Sequence, residues 1–435
     1  MQIERLSADQ VAQLGGPAGA AARVRSLVPD GDSVAEQVRK ILAAVCSGGD
    51  AAVLDYTRRF DTHGNQPQSL LVPGEELDEA IKQLPLELIA GLQVAIVNVA
   101  LVADAGVGTD TAVDLPQGQR IVLREVPVGS AAVYVPGGRA AYPSTVVMGV
   151  VTARSAGVVD VAVCAPPGPD GQIDPVILGT CRLCGVERVY CMGGAQAIAA
   201  LAYGTDTVER VDVIVGPGNL YVQEAKHQLS AIVGIDGFAG PSDLLVALGA
   251  QAGAHELQLA ALDMLAQAEH GEGSLVAAVS PSEAVCDALA ETLKNMVVER
   301  PTVGEAAFAI VHVAGARDAV ALANAFAPEH LQLIGADVEA LAPAIRSAGC
   351  LFVGLDSATA FGDYVAGSNH VLPTGGAARF ASTLSPRHFR RTMSEVRIGS
   401  AAAKLAAAGA PIARAEGFEV HAESMQARVR QNQQQ

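Results

Sequence analysis

What most constrains this chain is an alternation that starts near residue 120, where short β-branched runs begin to take turns with helix-patterned segments. Runs at 132–135, 159–163, 188–191 and 211–215 are separated by stretches of helical spacing, with helices expected from Pro143, Asp174, Ala195 and Leu220. After the loop 235–242 the pattern resumes, with strands expected at 244–247, 274–279, 307–313 and 350–353 and helices at 255–269, 281–298 and 318–326. Successive strands joined through helices imply parallel pairing, so the chain reads as an α/β protein with two sheets of related design. Residues 1 to about 125 read as mostly helical, with amphipathic stretches at 33–44 and 78–103. From about Arg379 onward the sequence suggests short helices and loops with several arginines.

Three strands of the first series end in similar turns: Pro136-Gly-Gly138, Met192-Gly-Gly194 and Gly216-Pro-Gly218. Glycine there lets backbone approach a ligand closely, beside helix amino termini that favour phosphate. Each turn alone is equally well a tight strand-to-helix connection. The Gly-x-Gly-x-x-Gly dinucleotide fingerprint is absent, since Gly216-Pro-Gly218-Asn-Leu-Tyr221 stops after two glycines. Spacing therefore supports a phosphate edge and does not by itself specify NAD.

At 435 residues the chain is long enough for several cored domains without a disulfide or metal staple. A formal net charge of −17 argues against nucleic acid as a partner. The seven cysteines are scattered through apolar runs, which suggests reduced thiols in the cytoplasm; Cys181-Arg-Leu-Cys184 has redox spacing but no second pair. The first ten residues mix charges without a signal-peptide pattern. The apolar stretch 145–165 is broken by Arg154 and Asp160, short of the ~20 uninterrupted residues of a membrane span, so no membrane partner is expected.

Against this apolar background, with 17% of residues charged, the second half carries polar clusters: Gln267-Ala-Glu-His270, Glu329-His330, Asp363 with His370, and Glu416 with His421. Gln267 and His270, three apart near a helix end, share one face and could converge on one ion or simply cap the helix. With Asp363 and His421 they could form a mixed nitrogen and oxygen donor set, which suits a catalytic metal better than a structural one. Glu329 and His330 follow Pro328, where a helix has already ended, and would serve different atoms or different steps. Taken singly, His370 and His421 are as readily hydrogen-bonded structural residues.

Assembled, these residues resemble the histidinol dehydrogenase family. The resemblance runs over nearly the whole chain: Gly49-Asp-Ala-Ala-Val-Leu-Asp-Tyr-Thr-Arg-Arg-Phe-Asp61, Tyr134-Val-Pro-Gly-Gly138, Tyr142-Pro-Ser-Thr145, Gly193-Gly-Ala-Gln-Ala-Ile-Ala-Ala-Leu-Ala202, Gly216-Pro-Gly-Asn219, Ala239-Gly-Pro-Ser242, Gln267-Ala-Glu-His-Gly271, Ala327-Pro-Glu-His-Leu331 and Asn369-His-Val-Leu-Pro-Thr374. It implies two related, incomplete dinucleotide-type (Rossmann-like) domains with helical extensions at both ends. The expected partition is 1–24 as an N-terminal extension, 25–128 with 236–378 as a larger discontinuous domain, 129–235 as an inserted NAD-contacting domain, and 379–435 as a C-terminal dimer tail.

The resemblance also implies the roles. Gln267, His270, Asp363 and His421 would hold one zinc ion per subunit, with Glu329 and His330 as the acid-base pair. Ser242, His370 and Glu416, together with His330 and the metal ligands, would contact the substrate L-histidinol, while Tyr134, Gln196 and Asn219 would contact NAD. A homodimer is implied in which the tail of one subunit, His421 included, completes the site of the other. Three departures from the family pattern are visible: Asp243 where glutamate is usual, Gly149 where asparagine is frequent and Thr152 where proline is common. They put local helix geometry and loop packing in question.

The function expected is the four-electron, NAD-linked oxidation of L-histidinol to L-histidine through L-histidinal. A zinc hydrolase would share the metal and the glutamate but have no use for a dinucleotide edge. A non-catalytic binding protein on the same architecture is a third possibility.

Overall fold

The computed structural model describes residues 2–28, 33–62, 64–65, 69–137, 140–237, 240–271, 273–303 and 305–431. The amino-terminal part comprises β1 (Ile3–Leu6), α1 (Ala8–Gln13), α2 (Pro17–Arg25), α3 (Ala35–Phe60), α4 (Gly74–Gln83) and α5 (Leu86–Ala105), followed by β2 (Thr111–Asp114) and β3 (Arg120–Pro127). The first alternating series is β4 (Ser130–Tyr134), α6 (Pro143–Ser155), β5 (Asp160–Ala165), α7 (Pro175–Leu183), β6 (Arg188–Cys191), α8 (Gly194–Tyr203), β7 (Val213–Val215), α9 (Leu220–Leu229) and β8 (Gly234–Ile235). The second is β9 (Asp243–Leu248), α10 (Ala254–Ala268), β10 (Leu275–Ser280), α11 (Glu283–Val297), β11 (Ala307–His312), α12 (Ala316–Phe326), β12 (His330–Ile334), α13 (Ala336–Glu339), β13 (Cys350–Val353) and α14 (Thr359–Tyr364). The described chain closes with β14 (Arg390–Arg397), α15 (Ala402–Ala415) and α16 (Glu419–Gln431).

Both series form parallel sheets, and their topologies are the same. The first has the order β6-β5-β4-β7-β8; the second has β11-β10-β9-β12-β13 with β1 added beyond β11. In each, the chain starts in the middle, winds outward through two strands, then crosses back to continue on the other side. The order therefore reverses between β4 and β7, and again between β9 and β12. All six residues of β9 are buried, and so are all six of β10, as expected of strands covered on both faces. Apolar residues from α10 and α11 cover one face of this sheet, while α2 and α12 cover the other.

Helix starts follow capping chemistry. Asp174, expected as the first helical residue, is instead the N-cap of α7, accepting from the Val176 amide with Pro175 in the first turn. Ser282 and Asn219 cap α11 and α9 in the same way. The stretch expected as one amphipathic helix at 78–103 is two, because Leu84 precedes Pro85 and takes an extended conformation (ψ 137°). Within α3, Gly49 breaks the helical path with φ 53°.

The described chain divides into two compact units, one built from residues up to 106 together with 129–389, the other from 107–128 together with 390–431. The first contains both parallel sheets. The second contains the antiparallel sheet β14-β3-β2 and the pair α15 and α16, packed through Ala410, Ala413 and Ala422. These elements correct the sequence reading, which had taken 1–125 as mostly helical and the end as short helices and loops. β2 is exposed throughout and β14 is nearly so, so neither needs the apolar run that signals a strand.

Helix α5 is long and apolar enough to cross a bilayer by length and composition alone, at mean hydropathy 2.1 with 22% of its window buried. One side of α5 packs on α6; the other exposes Leu86, Val94, Val97 and Leu101.

Candidate active site

The polar clusters of the second series meet at the amino-terminal edge of the six-stranded sheet, where β9 and β12 lie side by side. Ser242 immediately precedes β9, and Glu329 immediately precedes β12, whose first residue is His330. Gln267 is on the last turn of α10, and His270 follows in the loop before β10. Helices in such sheets run antiparallel to the strands, so the end of α10 arrives at the same edge.

Ala327 launches the Glu-His pair from a left-handed conformation (φ 49°), the one positive φ at a non-glycine among the described residues. Glu329 is 7% exposed, and its Oε2 accepts from Ser242 Oγ at 2.6 Å and from the Asp243 amide at 3.0 Å. Gln267 Nε2 in turn donates to Ser242 Oγ at 2.5 Å. His330, 3% exposed, lies with Nε2 3.4 Å from Asp363 Oδ1 and Nδ1 3.9 Å from Glu329 Oε2. Its Nδ1 is buried and makes no hydrogen bond among the described residues. It is an unsatisfied polar atom enclosed by protein.

His370 donates from Nδ1 to the Asp363 carbonyl at 2.8 Å, which fixes its proton on that nitrogen. Neighbouring Asn369 is anchored to α6 by donating to Met148 O at 3.0 Å and Thr152 Oγ1 at 3.1 Å. Two of the departures find their reasons here. Thr152 supplies a hydroxyl to the loop that carries His370, and a Cβ at Gly149 would stand 2.5 Å from a Val133 methyl, so α6 can approach β4 closely only with glycine there.

Burial raises the Glu329 carboxyl to about 7 despite the nearby His330. For His330, burial works against the imidazolium, but the hydrogen bond to Asp363 and the charges of Glu329 and Asp363 outweigh it and bring it up to about 9. Asp363 also pays for burial, yet His330 holds it below the usual carboxylate range. Burial lowers both His270 and His370. A neutral imidazole at His270 beside an ionised Asp363 and the buried amide of Gln267 is a donor set in the protonation states a metal requires.

A separate cavity of about 1380 Å³ opens at the carboxyl edge of the five-stranded sheet, at the reversal between β4 and β7. Tyr134, Gln196 and Asn219 all line it, together with Pro136, Gly137 and Asp61. The Tyr134 hydroxyl accepts from the Gly194 amide at 3.1 Å, and Gln196 Nε2 lies 3.4 Å from Asp61 Oδ2. Asn219 uses Oδ1 to cap α9, receiving the amides of Tyr221 and Val222. Behind the Gly216 turn, buried Lys226 donates to Gly216 O at 2.5 Å and to Asp236 Oδ1 at 2.7 Å. Asp236 Oδ2 accepts from the Gly216 amide at 2.7 Å.

The structure thus brings Ser242, Gln267, Glu329, His330, Asp363 and His370 into direct contact, with His270 in electrostatic range of Asp363 and His330. Glu416 and His421 belong to the second unit and are exposed; the His421 ring is tilted at 52° to that of Phe418 with ring centroids 5.1 Å apart. Among the described residues, no group of three or more His, Cys, Asp or Glu side chains is placed to hold a metal ion. All seven cysteines are unpaired. Burial drives the Cys164 thiol far up and Cys191 to about 12, which leaves neither as a thiolate nucleophile near neutral pH.

Sequence reasoning missed Asp61, Asp236, Lys226 and Arg25. Asp61 and Asp236 lie just past the ends of α3 and β8, and Arg25 and Lys226 lie in helices with other polar residues, so nothing local distinguishes them from surface charges.

The histidinol dehydrogenase family model matches residues 26–429. Histidinol dehydrogenase of Gluconobacter oxydans (strain 621H) is 40% identical over 410 residues, covering 93% of this chain and 94% of the relative. That of Synechococcus sp. is 42% identical over 398 residues, covering 90% and 91%. Among solved structures, histidinol dehydrogenase from Elizabethkingia anophelis superposes with a TM-score of 0.91 at 28% identity, covering 99% of each chain.

Proposed function

The chain belongs to the histidinol dehydrogenase family, oxidoreductases of histidine biosynthesis, and on that premise we propose that it oxidises L-histidinol to L-histidine through L-histidinal, with two NAD reduced per turnover and one zinc ion per subunit. The observation that carries this reading is the buried Glu329 and His330 pair, 3.9 Å apart, with one imidazole nitrogen unsatisfied. In the first step the neutral form of His330, which becomes populated as pH rises towards about 9, takes the alcohol proton as hydride passes from the carbinol carbon to NAD. In the second, Glu329 takes a proton from water, and the water oxygen bonds to the aldehyde carbon. The hydrate then gives its hydride to a second NAD and leaves as the carboxylic acid.

Gln267, His270 and Asp363 would hold the zinc, with His421 of a second copy of the chain as the fourth ligand. Bound there, the ion would act as a Lewis acid gripping the imidazole and amine of histidinol. Ser242 orients Glu329, and His370, with its proton fixed on Nδ1, keeps Nε2 as an acceptor for substrate. Glu416 would reach substrate from the same second copy as His421. Tyr134, Gln196 and Asn219 would contact NAD at the reversal of the five-stranded sheet; all of β4 to β8 falls within the proposed domain 129–235.

The homodimer is supported by the apolar face that α5 leaves uncovered. A cytoplasmic location is supported by seven unpaired cysteines. The test is to mix protein, zinc, NAD and histidinol and follow nicotinamide reduction. Two NADH per histidine supports the reading; histidinol consumed without NADH, or none consumed, overturns it.

A further inference from the structure

The groups that fix Glu329 reach well beyond the polar clusters. Asp243 is fully buried, and it makes a reciprocal pair with Glu329: its Oδ1 accepts from the Glu329 amide at 2.8 Å while its own amide donates to Glu329 Oε2 at 3.0 Å. Behind it stands Arg25, from α2, with Nη1 2.9 Å from Asp243 Oδ2. The same guanidinium lies 3.9 Å over the Phe326 ring and donates to Phe326 O at 2.6 and 3.0 Å and to Ala327 O at 3.2 Å. It therefore grips the left-handed turn from which Pro328-Glu329-His330 departs, as well as the carboxylate that holds Glu329.

A consequence for the carboxylate follows from counting its oxygens. Oε2 is occupied by the Ser242 hydroxyl and the Asp243 amide. No donor reaches Oε1 among the described residues.

We propose that Arg25 and Asp243 are positioning residues, a brace that pins the main chain and Oε2 of Glu329 so that Oε1 is presented to the water added in the aldehyde step. This rests on Glu329 as the water-activating base. An Arg-Asp pair with its carboxylate fully buried is a costly way to hold a turn, since the Asp243 charge is desolvated and that of Arg25 partly so. A hydrophobic pair would pack as well but could not accept the Glu329 amide or tie down two carbonyls of a left-handed turn. What the ion pair adds is direction, and misdirection of a reacting group by about an ångström costs on the order of 100-fold.

The experiment uses the zinc-loaded enzyme and assays alcohol and aldehyde oxidation separately. Asp243→Ala is expected to lower aldehyde turnover by roughly 10- to 100-fold with KM for the aldehyde within about twofold, while alcohol turnover falls less than about threefold. Asp243→Asn retains an oxygen for the Glu329 amide and is expected to recover most of the aldehyde rate. Arg25→Lys, which keeps the charge but cannot span three acceptors, is expected to show the same step-selective loss and serves if Asp243→Ala does not fold.

Equal losses in both steps, or Asp243→Asn no better than Asp243→Ala, would reduce the pair to ordinary structural support and overturn the proposal. Glu329→Gln separates the levels. If it slows aldehyde oxidation and the brace variants do not, the brace alone is wrong. If it leaves aldehyde oxidation intact, the base assignment fails and the brace with it.

Discussion

Lys226→Met is the most quantitative perturbation the fold offers. The Lys226 side chain is 1% exposed and that of Asp236 is 7%, and between them they clamp the Gly216 turn at both its amide and its carbonyl. Methionine fills much of the same volume, so the packing loss is small. What remains is a buried carboxylate reduced to one amide donor and a Gly216 carbonyl without its ammonium. Removing one partner of a buried pair costs about 3–5 kcal/mol, and since Asp236 keeps the amide the low end applies, roughly 3 kcal/mol.

The assay is urea unfolding at pH 7.5 of wild type, Lys226→Met, Asp236→Asn and the double variant. The double variant should regain at least about 1 kcal/mol over Lys226→Met alone, because the stranded charge is gone. Because Gly216 borders the proposed cofactor edge, NAD affinity should weaken while histidinol KM changes little. A loss under about 1 kcal/mol, or a double variant less stable than Lys226→Met, would refute the reasoning that the pair is a coupled buried clamp.

Other changes probe other parts. His330→Asn should cut turnover by roughly 100- to 10,000-fold with substrate still bound in equilibrium dialysis; unimpaired turnover would remove His330 as the proton acceptor. Gly216→Ala places a Cβ 2.1 Å from the Tyr134 carbonyl at φ 116°, so backbone must move, and calorimetry should show a loss of several kcal/mol. Burial raises Asp61 from 3.8 to about 6, so its folded state is penalised above that pH and relieved as the proton binds. Asp61→Asn should therefore gain roughly 1–2 kcal/mol at pH 7.5 after allowance for partial exposure, a gain that disappears towards pH 4; thermal melts at the two pH values decide it. Exhaustive chelation should abolish turnover and zinc restore it, with metal content measured alongside; full activity in metal-free protein would take zinc out of the reaction.

Much of the architecture was legible because buried parallel strands are continuous apolar runs. Arg188–Cys191 and Cys350–Val353 have the expected ends, and most other strands shift by a residue or two. β2, β3 and β14 were not, since exposed antiparallel strands carry arginines and glutamates where a core strand carries valines. For the site, periodicity could nominate Gln267 with His270 and adjacency could nominate Glu329 with His330. Nothing local could tell that Arg25, more than 200 residues upstream of its partner, ends against Asp243. Such a contact is set by α2 docking on α12, a property of the tertiary fold. The expected partition of donors is legible only in part, since Gln267, His270 and Asp363 share a unit while His421 belongs to the other.

The two sheets have one topology but offer opposite edges to chemistry. At the carboxyl edge of the five-stranded sheet, helices α6, α8 and α9 begin, and the positive ends of their dipoles make that rim electropositive. At the amino edge of the six-stranded sheet, α10 ends just before His270 and α12 ends at Ala327, so that rim receives the negative ends of two helix dipoles, the second of them met by Arg25. One winding pattern, used right way up and upside down, thus turns opposite helix-dipole ends towards the two proposed sites, the positive ends towards the one assigned to NAD and the negative ends towards the one assigned to the metal and substrate amine. The sorting of anion from cation is built into strand direction before any side chain is chosen.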